Sequence, residues 1–187
     1  MKNLLAFSGS ARINSLNALL LQHAAEMARE QGAVVEIIDL RALNLPLYDG
    51  DYEEANGIPD GARTLKEAMR EADGFLIASP EYNSFPTPLL LNAIDWASRA
   101  ESPEEAPLSA FKGKSAGLIS ASPGPLGGLR SLTALRSKLQ NIGVTVVPAL
   151  CAVGAATLDS LSDEHFADSN NGRRLQSTLK ALVNLTI

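Results

Sequence analysis

Apolar residues along this chain fall into two kinds of run that alternate. Leu4-Leu5-Ala6-Phe7 is short and continuous, as in a strand buried on both faces. It is followed by Leu16, Leu19, Leu20, Ala24, Met27 and Ala28, an apolar stripe at helical spacing. Gly32 closes that helix, and Val34 to Leu40 predicts a second strand. Leu65, Ala68, Met69 and Ala72 mark a second helix, and Gly74 to Ser79 a third strand. A helix from about Leu89 to Ser98 follows, then a strand over Ser115 to Ser120. Leu132, Leu135 and Leu139 carry the next helix, Val144 to Val147 the fifth strand, and Leu175, Leu179 and Leu182 the last helix. The segment from about Ala42 to Asp60, rich in Pro, Gly, Asp and Asn, breaks the rhythm and reads as a long loop, a length usually tied to function or an interface.

Strands alternating with helices imply a parallel sheet covered on both faces. The expectation is one domain over residues 1–187, a three-layer α/β sandwich with five parallel strands in the flavodoxin-like order 2-1-3-4-5. Ligands of such sheets sit beyond the carboxyl ends of the strands, near the switch in strand order. Three unusual loops follow strands one, three and four: Gly9 to Asn17, Pro80 to Pro88 and Ser120 to Gly128. In that order these strands are neighbours, so their loops would converge on one cleft.

The loop after the first strand, Phe7-Ser8-Gly9-Ser10-Ala11-Arg12-Ile13-Asn14-Ser15-Leu16-Asn17, holds three serines, two asparagines, a glycine and an arginine. Hydroxyls, free helix amides and the positive end of a helix favour an anion there, and Arg12 adds a fork of donors suited to phosphate oxygens. A plainer reading stands beside it, with Ser15 as the helix N-cap and Gly9 and Asn14 as turn residues. Neither the Gly-x-Gly-x-x-Gly of dinucleotide folds nor the Gly-Lys-Ser/Thr of a P-loop is present. The hydroxyl-rich form suits a monophosphate better than a pyrophosphate, pointing to a mononucleotide such as FMN. In the second loop, Pro80, Pro86 and Pro88 exclude a helix interior or a central strand.

At 187 residues, 45% hydrophobic and 20% charged, the chain has the composition of a soluble globular domain. A net charge of −5 with no basic patch argues against nucleic acid. No run of 18 apolar residues and no leader pattern is seen, so neither membrane insertion nor export is expected. The single cysteine, Cys151, lies in an apolar run, reads as a buried core thiol and fits a reducing cytoplasm. His23 and His165 have no partner at metal-ligand spacing and read as surface residues; no metal site is expected.

Three segments together resemble the NADPH-dependent FMN reductase family, which includes bacterial chromate and quinone reductases and some azoreductases. They are Gly9-Ser10-x-Arg12-x-x-Ser15-x-Asn17; Pro80-Glu81-Tyr82-Asn83 with Asn92-Ala93-Ile94-Asp95-Trp96; and Ser122-Pro123-Gly124 with Gly127-Gly128-x-Arg130. The resemblance implies that Ser10, Arg12, Ser15, Leu16 and Asn17 hold the FMN phosphate. It implies that Pro80, Glu81, Tyr82 and Asn83 line the ring and ribityl chain, and that Ser122 and Gly124 approach the pyrimidine end. It further implies NADPH or NADH as hydride donor, a small-molecule acceptor such as a quinone, azo compound, chromate or free flavin, and a homodimer or homotetramer. Many members carry Ser where this chain has Phe85 and Lys where it has Leu91, which bears on acceptor choice and on assembly. With the cofactor carrying the chemistry, no catalytic side chain is assigned. The rival reading is a flavodoxin-like electron carrier working through a protein partner; such carriers are typically more acidic than this chain.

The helix after Asn83 bears Leu89, Leu90, Leu91, Ala93, Ile94, Trp96 and Ala97, more apolar surface than one core contact requires. Leu90, Ala93, Ile94 and Ala97 are expected on the sheet, and Leu91 at an interface between copies.

Overall fold

The structure, a computed structural model, describes residues 1–185. Its strands are β1 (Asn3–Ser8), β2 (Val34–Ile38), β3 (Gly74–Ala78), β4 (Ser115–Ala121) and β5 (Thr145–Val153). Its helices are α1 (Leu16–Glu30), α2 (Gly50–Asn56), α3 (Asp60–Glu71), α4 (Pro88–Ala97), α5 (Leu129–Asn141), α6 (Leu158–Ser162) and α7 (Asn170–Asn184), with a 3-10 turn over Phe166–Asp168. All strand pairs are parallel, in the order β2-β1-β3-β4-β5. The expected flavodoxin-like sandwich is what forms.

Strand side chains alternate between two cores, as a period of two dictates. Leu4, Ala6, Leu76, Ala78 and Ile119 meet α1 and α7 on one face. Leu5, Phe7, Phe75, Ile77 and Leu118 meet α3, α4 and α5 on the other. With both faces covered, β3 and β4 are buried along their whole length. None of the described helices is long and apolar enough to cross a membrane.

Four sequence expectations are corrected. The stretch Ala42 to Asp60 is not wholly loop: it contains α2, capped by Asp49, whose residues are all at least partly exposed and so leave no apolar stripe to read. β5 does not end at Val147. Ala116 pairs with Val146 but Leu118 with Leu150, a bulge that passes Pro148 before pairing resumes through Val153. An edge strand tolerates a proline there because the missing donor costs no ladder bond. α6 and the 3-10 turn fill a connection in which no element was foreseen. His23 is half-buried, its ring 5.7 Å from that of Phe166 and its Nε2 sealed away without a partner among the described residues.

The surplus apolar face of α4 is partly covered by the chain itself. Leu90, Ala93, Ile94 and Ala97 pack on the sheet as expected. Trp96 is fully buried in a separate cluster with Ile58 and Ala62, edge-on to Tyr48 at 5.1 Å. Its indole N–H and the Asn92 amide both donate to the Pro46 carbonyl, at 2.7 and 2.9 Å, and the Asn92 side-chain oxygen accepts from the Tyr48 amide at 2.8 Å. The long segment is thus strapped to α4. Leu91 remains half-buried.

Candidate functional site

The loops after β1, β3 and β4 lie at the carboxyl end of three adjacent strands and are braced against each other pairwise. Thr87, the N-cap of α4, donates its hydroxyl to the Gly9 carbonyl at 2.6 Å. A Cβ on Gly9 would fall 2.7 Å from that hydroxyl and 3.0 Å from the Leu90 Cβ, so glycine is what lets α4 sit against the loop. Asn17 joins the first loop to β4: its amide donates to the Ala121 carbonyl at 2.9 Å and its oxygen accepts from the Ala121 N–H at 3.0 Å. Glu81 and Pro80 join the second loop to α5. The Pro80 carbonyl accepts from both the Ser79 and Ser131 hydroxyls at 3.0 Å.

The first loop is shaped by its own hydroxyls. The Ser10 amide donates to Ser8 Oγ and the Arg12 amide to Ser10 Oγ. Ser15, buried, caps α1 by accepting from the Ala18 amide at 3.2 Å, so the plain N-cap reading of Ser15 is correct for its side chain. Cap and cradle coexist, however. The amides of Leu16 and Asn17 begin the helix, have no intrahelical acceptor, and find none elsewhere among the described residues. Arg12 is exposed beside them and Ser10 half-buried. The Asn17 side chain is held by Ala121, which leaves only its backbone N–H for a ligand. Arg41, which no sequence motif marked, donates to the Ala11 carbonyl at 3.1 Å and ties the loop to the end of β2. Between loop, α1 and β2 lies a cleft of about 330 Å³ lined in part by Ser10, Arg12, Asp39 and Arg41.

In the second loop, the Tyr82 and Phe85 backbones exchange two hydrogen bonds of 3.0 Å across a two-residue turn. Asn83 and Ser84 both take positive φ, 52° and 69°, the geometry of a type I′ turn. Tyr82, Asn83 and Phe85 are exposed at the lip. Glu81 faces elsewhere. Its carboxylate accepts from the Arg130 and Ser131 amides at 3.1 and 3.2 Å and from Arg130 Nε at 2.8 Å. Burial pushes the Glu81 carboxyl up, but the Arg130 side chain and the Ser131 and Arg130 amides outweigh it and hold it below the usual carboxylate range.

In the third loop, Ser122 Oγ accepts from the Gly124 amide at 3.2 Å, and the Ser122 amide donates to the Val153 carbonyl. Both expected contact residues therefore use their amides inside the protein. The glycines here differ in kind. At Gly127 and Gly128 a Cβ would strike Val153–Gly154 backbone at 2.6 Å and Ser120 Oγ at 2.0 Å, so the fold requires them. At Gly124 a Cβ would meet only Ser122 Oγ, at 3.5 Å. The space above Gly124 is open, as a bound ring edge would need. The amides of Leu126 and Gly128 have no acceptor among the described residues, and no local motif marks them.

A family model described as NADPH-dependent FMN reductase matches residues 2–157. The chain belongs to that family. It is 40% identical over 135 residues to an NAD(P)H-dependent FMN reductase of Pseudomonas aeruginosa, covering 72% of this chain and 68% of the relative. It is 38% identical over 188 residues to an NAD(P)H:quinone oxidoreductase of Solanum tuberosum, covering 96% and 90%. Against several further quinone oxidoreductases the match spans 61%, 63% and 65% of their lengths. Among solved structures, the flavoenzyme NAD(P)H:acceptor oxidoreductase FerB of Paracoccus denitrificans superimposes with a TM-score of 0.79 at 27% identity, covering 98% of this chain and 96% of that one. Membership fixes the reaction class, a nicotinamide-dependent oxidoreductase, and FMN as its cofactor. The residues present fit that cofactor: free α1 amides, a hydroxyl and an exposed guanidinium for a phosphate, and an uncrowded backbone at Gly124 for a ring edge.

Proposed function

We propose that Ser10, Arg12 and the amides of Leu16 and Asn17 hold the FMN phosphate, with Ser15 and Asn17 fixing the end of α1 that presents them. Pro80, Tyr82 and Asn83 line the ring and ribityl chain, and the uncrowded Cα of Gly124, with Ser122 beside it, faces the pyrimidine edge. The chemistry that bound FMN supplies there is two-electron transfer from NADPH or NADH to a small acceptor: a quinone, an azo compound, chromate or free flavin. The protein's part is to bind and orient, and no side chain is assigned as acid or base. One observation carries this reading: the first loop is hydrogen-bonded to the second through Thr87 and to the third through Asn17, while the first α1 amides and the exposed Arg12 guanidinium have no partner among the described residues.

The test is the visible spectrum of the purified protein, reconstituted with FMN, before and after anaerobic NADPH. A flavin spectrum bleached within seconds is expected. A protein that takes up no FMN, or whose flavin ignores both nicotinamides, overturns the reading.

We also propose a homodimer or homotetramer with Leu91 at the contact. Half-buried Leu91 and exposed Tyr82 and Phe85 support it; Trp96 does not, since the chain covers that face itself. Light scattering decides it, and a holoprotein that runs as a monomer at micromolar concentration removes it. We propose a cytoplasmic location as well; the single cysteine, buried and with its thiol pushed up to about 11, is compatible with it.

A further inference from the structure

The cleft beside the first loop is not where the flavin ring would lie. It is bounded by that loop, by α1 and by the end of β2, and no residue of the second and third loops lines it; nor do Ser15, Leu16 or Asn17. Sheet order explains why. β1 stands between β2 and β3, so the second and third loops fall on one side of the first loop and this cleft on the other. Its volume of about 330 Å³ is that of a small-molecule site.

The lining combines three chemistries. Leu21 and Ile37 supply apolar surface, Ile37 being 45% exposed. Arg12 and Arg41 supply two guanidiniums. Neither has a carboxylate within ion-pair distance among the described residues, whereas Arg63, Arg70, Arg99 and Arg130 each have one. Arg41 gives one donor to the Ala11 carbonyl, and the rest of its five N–H groups find no acceptor among the described residues. Asp39 supplies a carboxylate, oriented by accepting from the Arg41 amide at 2.9 Å. Two cations against one anion give the lining a positive balance in a chain of net charge −5, and a guanidinium fork matches phosphate oxygens.

Apolar surface, a carboxylate and an unpaired guanidinium together suit an adenosine that carries a 2′-phosphate. In dinucleotide-binding α/β folds the ribose is recognised at the end of the second strand, by an acidic residue on a hydroxyl or an arginine on the 2′-phosphate. Asp39 and Arg41 follow β2 directly. A dinucleotide is long enough to reach from a ring over the second and third loops to this place, and a benzoquinone is not.

We propose that the cleft seats the adenosine 2′-phosphate end of NADPH, with Arg41 on the phosphate and Asp39 on the ribose, so that Arg41 sets a preference for NADPH over NADH. This rests on the reading that the three loops hold FMN with its phosphate on the first. Arg12 belongs to that phosphate, and Arg41 is the guanidinium left for a second one.

The test uses the FMN-loaded protein, whose cofactor phosphate already fills the cradle, so that an added phosphate reports on the cleft. Adenosine 2′,5′-bisphosphate and adenosine 5′-monophosphate are titrated calorimetrically into wild type and Arg41→Gln, which keeps an amide donor for the Ala11 carbonyl but no charge. The wild type should bind the bisphosphate about ten- to a hundredfold more tightly than the monophosphate, and the variant should bind both about equally. The kcat/KM ratio of NADPH to NADH should fall by a similar factor. The bisphosphate should raise the KM for NADPH and leave that for benzoquinone as it was; competition with benzoquinone instead overturns the proposal. Equal affinities in the wild type, or a variant whose preference and ratio stay within twofold of wild type, overturn it too. A purely structural Arg41 would weaken FMN and slow both nicotinamides alike at a constant ratio, which counts equally against it. Should Arg41→Gln fail to fold, Arg41→Lys keeps the charge without the fork and should lower preference and ratio about threefold; no change there overturns the proposal as well. A protein that takes up no FMN removes the underlying reading, whereas a loaded, NADPH-reducible enzyme indifferent to the 2′-phosphate removes only the role of the cleft.

Discussion

Glu105 and Glu81 mark the two ends of the parallel sheet, and each meets an arginine from a neighbouring element. Glu105 lies in the connection leading into β4, at the end where strands begin. It contacts Lys66 Nζ at 3.0 Å and Arg70 at 2.6 Å, and accepts from the Glu101 amide at 2.6 Å and from the Ser109 hydroxyl. Glu101 adds contacts to Lys66 and Arg70 at 3.2 and 3.1 Å, and the Lys66 side chain is 1% exposed. Here opposite charges balance in a closed network that joins α3 to the loop before β4. Glu81, at the end where strands finish, meets one exposed guanidinium and two helix amides. The same carboxylate chemistry closes a charge network at one end and caps a helix at the other. What differs is whether the partners would be free to bind something else.

Breaking the first network should have the larger effect. Glu105→Ala leaves Lys66 buried with one carboxylate fewer, and stability is expected to fall by about 3–5 kcal/mol, read from urea unfolding. FMN affinity of the folded fraction should stay within twofold, because no residue of the three loops touches the network. A loss under 1 kcal/mol would show that the cluster is already relaxed by solvent. The pH dependence follows with its sign. Burial pushes the Glu105 carboxyl up, but the Glu101 amide, Ser109, Lys66 and Arg70 outweigh it and lower it from 4.5 to about 2. A carboxyl depressed in the folded state contributes stability above its unfolded value and loses it as pH falls through the folded one. The wild type should therefore lose about 2 kcal/mol between pH 4.5 and pH 2 that Glu105→Ala does not.

At the other end, Arg12→Ala should weaken FMN binding by about 1.5–3 kcal/mol, roughly ten- to a hundredfold, while the unfolding of the apoprotein barely changes. Riboflavin, lacking the phosphate, should bind the wild type poorly and be indifferent to the substitution. Equal FMN affinity in wild type and variant would take the phosphate away from this loop.

The two ends also differed in how far the chain could be read unaided. The strands were legible because burial on both faces leaves unbroken apolar runs, as at Gly74 to Ala78. The convergence of the three loops was legible because they follow strands that the alternating pattern makes neighbours, and the first of them adds hydroxyls and an arginine ahead of a helix. Glu81 was visible as part of a loop motif but not as the cap of α5, since a contact spanning 49 residues leaves no local trace. Asn17 was read for its place in the loop, yet its side chain is fixed by Ala121, 104 residues away. α2 escaped because none of its residues is buried, and the end of β5 because Pro148 mimics a strand stop that an edge strand does not obey. Thr87 before Pro88 did carry a readable signal, that of an N-cap followed by a first-turn proline.

The smallest expected effect lies in the turn that presents Tyr82 and Phe85. A type I′ turn asks for positive φ at both central residues; asparagine meets this readily at the first, and glycine is the usual choice at the second. Here Ser84 takes the second place at φ 69°, with an exposed side chain, and a non-glycine residue held there costs about 1 kcal/mol. Ser84→Gly removes that strain, partly offset by the greater freedom of glycine in the unfolded chain, so a net gain of about 0.5 kcal/mol is expected. The bonds between Tyr82 and Phe85 are main-chain and should survive, leaving FMN affinity within twofold of wild type. The measurement is the thermal midpoint of the apoprotein beside that of Glu105→Ala, the two shifts having opposite sign. A lower midpoint for Ser84→Gly would mean that the serine is held by more than its backbone, and that the strain at this end of the sheet had been misplaced.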